Sequence, residues 1–516
     1  MNITKLLMRR AGCILTLVVF GFGAGIGLAQ TDGATDASIK YTVLHSFRGA
    51  DGRGPYAGPL VQAADGDLYG TTNAGGANCH PQGCGTVFKI SPSGAFTTLY
   101  DFCSKTNCTD GKQPQSGLLQ ASNGYLYGTT PYGGTNCGVL LGCGTVYALP
   151  LSGTLATIYD FCPQQPTCPD GEQPLAGLIQ AANGDLYGTA PYGGAYGPGS
   201  IFKITPSGAF TTAYSFCPQT PCADGAGPST ALVQAENGDF YGTTVGGGPV
   251  NPSCPYYATC GNVFKIAPEG TLTALYNFCS QSNCTDGALP AGGLVQATDG
   301  NLYGMTLIGG ANCLDNGGCG TIFKVTPDGT VTTFHSFCAQ PACADGAAPV
   351  SQLIQSAAGD LYGIAGGGGA NNGGSIFKIT LDGNLTTLYS FCAAANCADG
   401  TEPYAGLVQG TDGVFYGTTY DGGVKNAGAI FSLSTGEAPF VTTQPKTGKA
   451  GEIVMILGYG LKGSTSVTFN GTPAKILYDA PTLIYATVPA GATTGKVAVN
   501  TADGTRTSSV KFEVIP

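Results

Sequence analysis

The sequence predicts an all-β protein: a seven-bladed β-propeller closed by its own N-terminal strand, then a small immunoglobulin-like β-sandwich. Three observations predict it. A Tyr-Gly word recurs seven times, with Tyr at 69, 127, 187, 241, 303, 362 and 416. Each copy holds four short β-rich runs divided by turn residues, the pattern of an antiparallel meander. The composition is turn-rich and poor in charge, with 84 Gly in 516 residues, 10% charged residues and 42% hydrophobic residues. That hydrophobic content argues against disorder, and the Gly follow no three-residue period, which excludes collagen. A helical bundle needs far more Glu, Lys and Leu. A net charge of −10 with only 21 Lys and Arg excludes a nucleic-acid backbone binder.

The N-terminus reads as a leader. Lys5, Arg9 and Arg10 precede an apolar run from Ala11 to Ala29 with a small-residue exit at Gly27-Leu28-Ala29. Residues 1–29 are therefore expected to be a signal peptide and 30–40 a short linker. The expected product is secreted or displayed at the cell surface, with no membrane segment after cleavage.

Residues 41–434 carry the repeat. Its runs are A (Leu118-Leu119-Gln120-Ala121), B (Leu126-Tyr127-Gly128-Thr129-Thr130), C (Thr145-Val146-Tyr147-Ala148-Leu149) and D (Thr154 to Phe161). The A–B turn is Asp-Gly or Asn-Gly in six copies, as at Asp65-Gly66 and Asn183-Gly184, and favours a tight hairpin. The C–D turn is of the same kind, as at Ser93-Gly94 and Asp328-Gly329. The array begins with a lone D run, Tyr41 to Phe47. Its last copy has A, B and C (Leu407 to Leu433) but no D. A ring in which the first strand completes the last blade hides both sheet edges, whereas a solenoid would have no use for the offset.

One of the 21 Cys, Cys13, lies in the leader; the rest fall into local pairs. Six follow strand D: Cys103-Cys108, Cys162-Cys168, Cys217-Cys222, Cys279-Cys284, Cys338-Cys343 and Cys392-Cys397. Four lie between B and C: Cys79-Cys84, Cys137-Cys143, Cys254-Cys260 and Cys313-Cys319. Copies without cysteines lack both members and have shorter loops, which points to disulfides clipping loop tips. Metal binding is the competing reading, but the spacing is wider than in zinc knuckles, and His45, His80 and His335 do not cluster in the repeat pattern. No metal and no cofactor are expected. Every cysteine loop is a B–C or D–A connection, so one face is long-looped and stapled while the other is trimmed to hairpins. Insertions gathered on one face of a repeat array mark a binding side.

Residues found in nearly every copy read as fold determinants. Asp-Gly-x-x-Pro closes each D–A loop through Asp51, Asp110, Asp170, Asp224, Asp286, Asp345 and Asp399. These are read as turn caps, with a calcium ring as the alternative. Gln62, Gln120, Gln180, Gln234, Gln296, Gln355 and Gln409 are expected to satisfy backbone groups between blades. The seven Tyr before Gly are expected to pack between blades, and Lys89, Lys203, Lys265, Lys324 and Lys378 to sit at the solvent edge. No zinc-protease, serine-hydrolase or phosphate-loop motif occurs, and no catalytic residue is assigned. The non-repeated acids Glu172, Glu236, Asp315, Glu402 and Asp421 are placed near the long face, where a pair would suit a glycosidase. In a chain without Trp, Tyr132, Tyr192, Tyr196, Tyr256, Tyr257 and Tyr420 are the candidate ligand contacts.

From about Pro439 the repeat word is gone. Alternating runs such as Ile453–Gly458, Ser466–Gly471, Thr482–Pro489 and Gly495–Val499 predict a sandwich in the linker-and-domain segment 435–516. The word Leu-Tyr-Gly-Thr-Thr…Gly-Gly…Gly-Thr-Val-Phe-Lys-Ile resembles the GloVer tandem repeats of bacterial secreted and surface proteins. The tail resembles IPT/TIG domains through Gly448-Lys449-Ala450-Gly451-Glu452, Gly458-Tyr459-Gly460 and Phe469-Asn470-Gly471-Thr472-Pro473-Ala474. The resemblance implies a spacer or interaction module and no enzyme. The expected function is extracellular binding or adhesion through the stapled face, toward a glycan or protein. A polysaccharide-active hydrolase or lyase and a structural envelope or matrix protein are the alternatives.

Overall fold

A computed structural model describes residues 39–516, except 57, 80, 137–141, 166, 252–253, 255–258, 313–318 and 516. The expected signal peptide, Cys137, Cys313, Asp315, Tyr256 and Tyr257 lie outside the described residues. Seven antiparallel sheets succeed one another. The first is built from Val61–Gln62, Leu68–Thr72, Thr86–Ile90 and Phe96–Asp101 in sequential order. The seventh has Val408–Gln409, Phe415–Thr419 and Ala429–Ser434, and its outer strand is the N-terminal Lys40–Ser46. Tyr41 pairs with Leu433 and Ser46 with Ala429, so the ring is closed by a strand from the far end of the chain. The fifth sheet gains a short extra strand, Ala288–Pro290.

Three seven-fold sets of contacts join the blades, and each is complete across the seam. The first is aromatic. The Phe ending each D strand meets, edge to face, the aromatic residue of the next blade's C strand, from Phe102–Tyr147 at 5.3 Å to Phe391–Phe431 at 5.3 Å. Phe47–Phe88 at 5.4 Å joins the seventh blade to the first. The second lies on the hairpin face. Each strand-A Gln gives its Nε2–H to the carbonyl of its own turn Gly and takes a backbone N–H from the preceding blade at Oε1. Ala64 N donates to Gln120 at 3.0 Å, and Thr411 N to Gln62 at 2.8 Å. The third lies on the loop face. The N–H before each D–A proline donates to the preceding blade's B–C loop, as Gln113 to Cys84 at 2.7 Å and Gly54 to Ala427 at 2.9 Å.

The Gly before strand C explains that proline. At Gly85 (φ +89°) a Cβ would collide with the Thr72 carbonyl and sit 2.8 Å from Pro114 Cδ of the next blade. Strands B and C form the buried centre of each blade, and the seven Tyr of the repeat word are buried there. Lys89, Lys203, Lys265 and Lys378 are half-exposed and paired with Asp67, Asp185, Asp239 and Asp360.

Tyr147 is the exception in strand C, where the other blades carry Phe. Its hydroxyl is fully buried without a hydrogen-bond partner, and burial pushes its pKa above the ordinary tyrosine range. Tyr147→Phe should therefore stabilise the chain by about 1 kcal/mol, read as a raised urea midpoint at unchanged slope.

The C-terminal domain is a sandwich over Val454, Ile456, Val467, Phe469, Ile484, Val497 and Phe512. Its strand Thr472–Asp479 pairs with both Ser466–Phe469 and Leu483–Thr487 and so links the two layers. The domain docks on the hairpin face. Phe440 N donates to Thr411 O at 3.0 Å, Gln444 Nε2 to Gln120 O at 2.6 Å and Thr482 Oγ1 to Ala64 O at 3.3 Å. The sixth blade's A–B turn has Ala358 where the other copies have Asp or Asn, and Glu437 of the linker replaces it: Tyr362 Oη donates to Glu437 at 2.8 Å. The stapled face is left uncovered by this docking.

Candidate functional site

The stapled face is built from loops that saturate themselves. In each D–A loop the Asp carboxylate accepts from a strand-D aromatic and from loop N–H groups. Tyr100 Oη reaches Asp110 at 2.7 Å, joined by the N–H of Ser104 at 2.9 Å. Tyr159, Tyr214, Tyr276 and Tyr389 do the same for Asp170, Asp224, Asp286 and Asp399. In two blades a histidine takes the tyrosine's place: His45 with Asp51 at 2.9 Å and His335 with Asp345 at 3.2 Å. This geometry performs the turn-capping role. Burial raises the Asp170 carboxyl above the usual range. At Asp345 burial pushes the same way, but His335 and the N–H groups of Ala339 and Gln340 outweigh it and hold the carboxyl low.

Disulfides close six D–A loops, at Cys103-Cys108, Cys162-Cys168, Cys217-Cys222, Cys279-Cys284, Cys338-Cys343 and Cys392-Cys397. Cys79-Cys84 and Cys254-Cys260 close B–C loops. Cys143 and Cys319 are oxidised as well, while Cys137 and Cys313 lie outside the described residues. The two bridges of one blade stack: the sulfurs of Cys79, Cys84, Cys103 and Cys108 lie within 4.8 Å of one another. Each bridge closes its own loop, and the two clipped loops of this blade pack sulfur against sulfur.

Against this regular background one place differs, the seam between the seventh and first blades. Tyr56, Tyr404 and Tyr420 form a cluster with ring centroids 5.6–6.1 Å apart. Tyr404 Oη donates to Glu402 at 2.9 Å, and burial, Glu402 and Asp421 together raise its pKa. Thr401 and Asp421 are bridged through their backbones, so both acids belong to this place. Beside it opens a cavity of about 430 Å³, lined by Gly49, Ala50, Arg53, Gly75, Gly76, Ala77, Pro81, Gln82 and Gly83. The Arg53 loop touches the cluster, because a Cβ on Gly54 would lie 2.9 Å from the Tyr420 ring.

Of the tyrosines chosen from sequence, Tyr420 is in this cluster. Tyr132 and Tyr192 are half-buried on the second and third blades, bridged through their backbones to Lys112 and Glu172. Tyr196 stands 58% exposed on the third blade's B–C loop. Glu172 lies 3.8 Å from the sulfurs of Cys143 and Cys168, its pKa raised by burial and by Asp170. Glu236 is placed differently from the sequence reading. It sits in an A–B turn on the hairpin face, where its N–H caps Gln296. Tyr56 and Tyr404 were missed by that reading, although they are the two residues in which Tyr directly follows the D–A proline.

Residues 30–254, 103–315 and 256–472 match the Gloeobacter/Verrucomicrobia repeat, and residues 440–514 match the IPT/TIG domain. No curated protein matches the sequence. Among solved structures the chain is similar to virginiamycin B lyase from Staphylococcus aureus, at 16% identity over 77% of this chain and 99% of that one, with a TM-score of 0.48. It is also similar to a fungal alcohol oxidase of the AA5 family in complex with copper, at 12% identity over 90% of this chain and 98% of that one, with a TM-score of 0.48.

Proposed function

The chain belongs to the Gloeobacter/Verrucomicrobia repeat family, and from that premise we propose an extracellular, non-catalytic binding protein that takes its ligand on the stapled face at the seam. The observation that carries this reading is the division of labour between the two faces. The IPT/TIG domain occupies the hairpin face through Gln444 and Thr482. The opposite face is braced by paired disulfides and holds the tyrosine cluster and the cavity. Rigid aromatic residues bind at low entropic cost, and loops closed by disulfides have less conformational freedom to lose on binding.

Secretion accords with the density of disulfides, which persist in oxidising spaces. Among the described residues no helix is long and apolar enough to cross a membrane.

The test is a glycan and protein array probed with the chain from residue 30 onward. Tyr420→Ala should lower capture by tenfold or more with a melting temperature within a few degrees of the parent. Undiminished capture would place the ligand elsewhere. New reducing ends or unsaturated products in the same incubations would mark the chain as an enzyme instead.

A further inference from the structure

We propose that Cys143, Cys162 and Cys168 of the second blade form, with Glu172, a thiol–disulfide exchange site that captures a low-molecular-weight thiol, a proposal independent of the ligand-binding reading above. The sulfurs of these three cysteines lie within 4.8 Å of one another. Cys162 and Cys168 are bonded to each other, and Cys143 is oxidised as well. One carboxylate stands beside them: Glu172 Oε2 is 3.8 Å from Cys143 Sγ and 3.8 Å from Cys168 Sγ. An attacking sulfur, a bridge to attack and a proton carrier for both ends of the reaction are thus in one place. All three cysteines are buried, which favours attack from within the cluster over attack from solvent.

The fold does not ask for this carboxylate. The residue after a D–A Asp-Gly gives its N–H to the next blade's B–C loop: Glu172 to Tyr192 O, Ala226 to Gly246 O and Ala347 to Gly367 O, each at 2.9 Å. Alanine meets that backbone need. Among the blades with two clips the position holds Lys112 in the first, Glu172 in the second, Ala288 in the fourth and Ala347 in the fifth. Half-burying a carboxyl costs free energy that the backbone bond does not return. Burial and Asp170 raise its pKa, and among the described residues no cation offsets them. A raised carboxyl suits a group that must both take and give a proton near neutrality. Asp170 also steadies the target, since it accepts the Cys162 N–H at 2.9 Å. The clips occur as couples too. Every B–C pair has a D–A pair in its own blade, while the third and sixth blades carry the D–A pair alone.

The exchange runs in two displacements. The incoming thiol bonds to the far sulfur of the Cys143 bridge, and Cys143 leaves as a thiol. The Glu172 carboxylate takes its proton, and Cys143 Sγ attacks Cys162 Sγ. The Cys143–Cys162 bond forms as the Cys162–Cys168 bond breaks. The electron pair goes to Cys168 Sγ, which receives the proton from Glu172. The number of disulfides is unchanged, so no oxidant is consumed. The incoming thiol stays on the chain as a mixed disulfide, Cys168 becomes a free thiol, and the B–C and D–A loops are joined to each other.

The test incubates the chain from residue 30 onward with glutathione at pH 7, stops samples with acid, alkylates them and maps the cysteine peptides by mass. The expected product holds a Cys143–Cys162 bridge, an alkylated Cys168 and one glutathione. It should form faster than the corresponding Cys260–Cys279 and Cys319–Cys338 bridges of the fourth and fifth blades, which lack the carboxyl. Glu172→Gln should slow it roughly tenfold or more. That deficit should close toward about pH 9, where a thiol ionises unaided, whereas a merely structural role would leave it the same at both pH values. Cys168→Ser deprives Cys162 of its partner and should carry the Cys143–Cys162 bridge without added thiol. Thermal melts check that the ring is intact in each variant. Local pairs alone at every glutathione concentration, or an unpaired Cys162 in Cys168→Ser, overturn the exchange. An undiminished rate in Glu172→Gln at pH 7, or equal rates in the second, fourth and fifth blades, overturns the role of Glu172 and with it the proposed site.

Discussion

Removing residues 41–47 unfolds the entire ring. The deletion takes away the pairing of Tyr41 with Leu433 and Ser46 with Ala429, the stack of Tyr41 on Tyr389 at 3.9 Å and the edge contact of Phe47 on Phe88. It also takes the Tyr41 hydroxyl from the Asp399 carbonyl and the Phe47 N–H from Gly428 O at 3.0 Å. Truncating a buried Phe alone costs about 3–5 kcal/mol. Adding the lost strand brings the total near the roughly 5–15 kcal/mol that holds a domain together. The deletion further leaves Ala429–Ser434, largely apolar, as an exposed sheet edge that invites association. The expected readout is loss of the cooperative melt, with aggregation on gel filtration. The opposite change is informative too. Thr42 and Ser432 are register partners, and a cystine replacing them locks the ring across a very long loop. The chain-entropy model allows about 4 kcal/mol or more for such a closure when geometry permits. A deletion variant that melts like the parent would show that the blades stand without closure.

What was legible beforehand was whatever local chemistry writes. The Tyr-Gly word, the Asp-Gly turns and the cysteine spacings each act within a few residues, so four strands per copy and the offset at the two ends can be read directly. The Gln staples were inferable because a residue repeated at one strand position in every copy must serve the repeat. The seam cluster was not, because Tyr56 meets Tyr404 only when the ring closes. Nothing near Tyr56 in sequence announces a neighbour from the last blade. Docking of the C-terminal domain was hidden for the same reason: Glu437 matters because Ala358 leaves a turn without its acid in a distant blade. The strand Thr472–Asp479 escaped because its one-residue bulge between Ile476 and Tyr478 breaks the alternation. Glu236 was assigned to the wrong face although it directly precedes Asn237-Gly238, an A–B turn of the kind that the repeat places on the hairpin face.

The D–A caps carry the second large effect, and two of them, Asp345 and Asp170, separate by pH. Asp345 is fully buried and accepts from His335 Nε2 at 3.2 Å, Ala339 N at 3.1 Å and Gln340 N at 3.2 Å. Asp345→Ala leaves those donors without an acceptor and should cost about 3 kcal/mol or more at pH 7. Because its carboxyl is held below the unfolded value of about 3.9, the stability it adds is fully present above that value and is lost as pH falls through the lower, folded one. The gap between parent and Asp345→Ala should therefore shrink on acidification below about pH 4. Asp170 behaves in the other sense. Burial raises its carboxyl, so the folded state binds its proton more tightly than the unfolded chain does. Its ionised form carries a penalty above the folded pKa that lifts as the group is protonated. The gap between parent and Asp170→Ala should hold or widen over the same descent. Urea titrations of the three proteins at pH 7, 5 and 3 decide the matter. Parallel curves for the two variants would mean that loop backbone alone, and not the charge on the capping carboxylate, sets the strength of the stapled face.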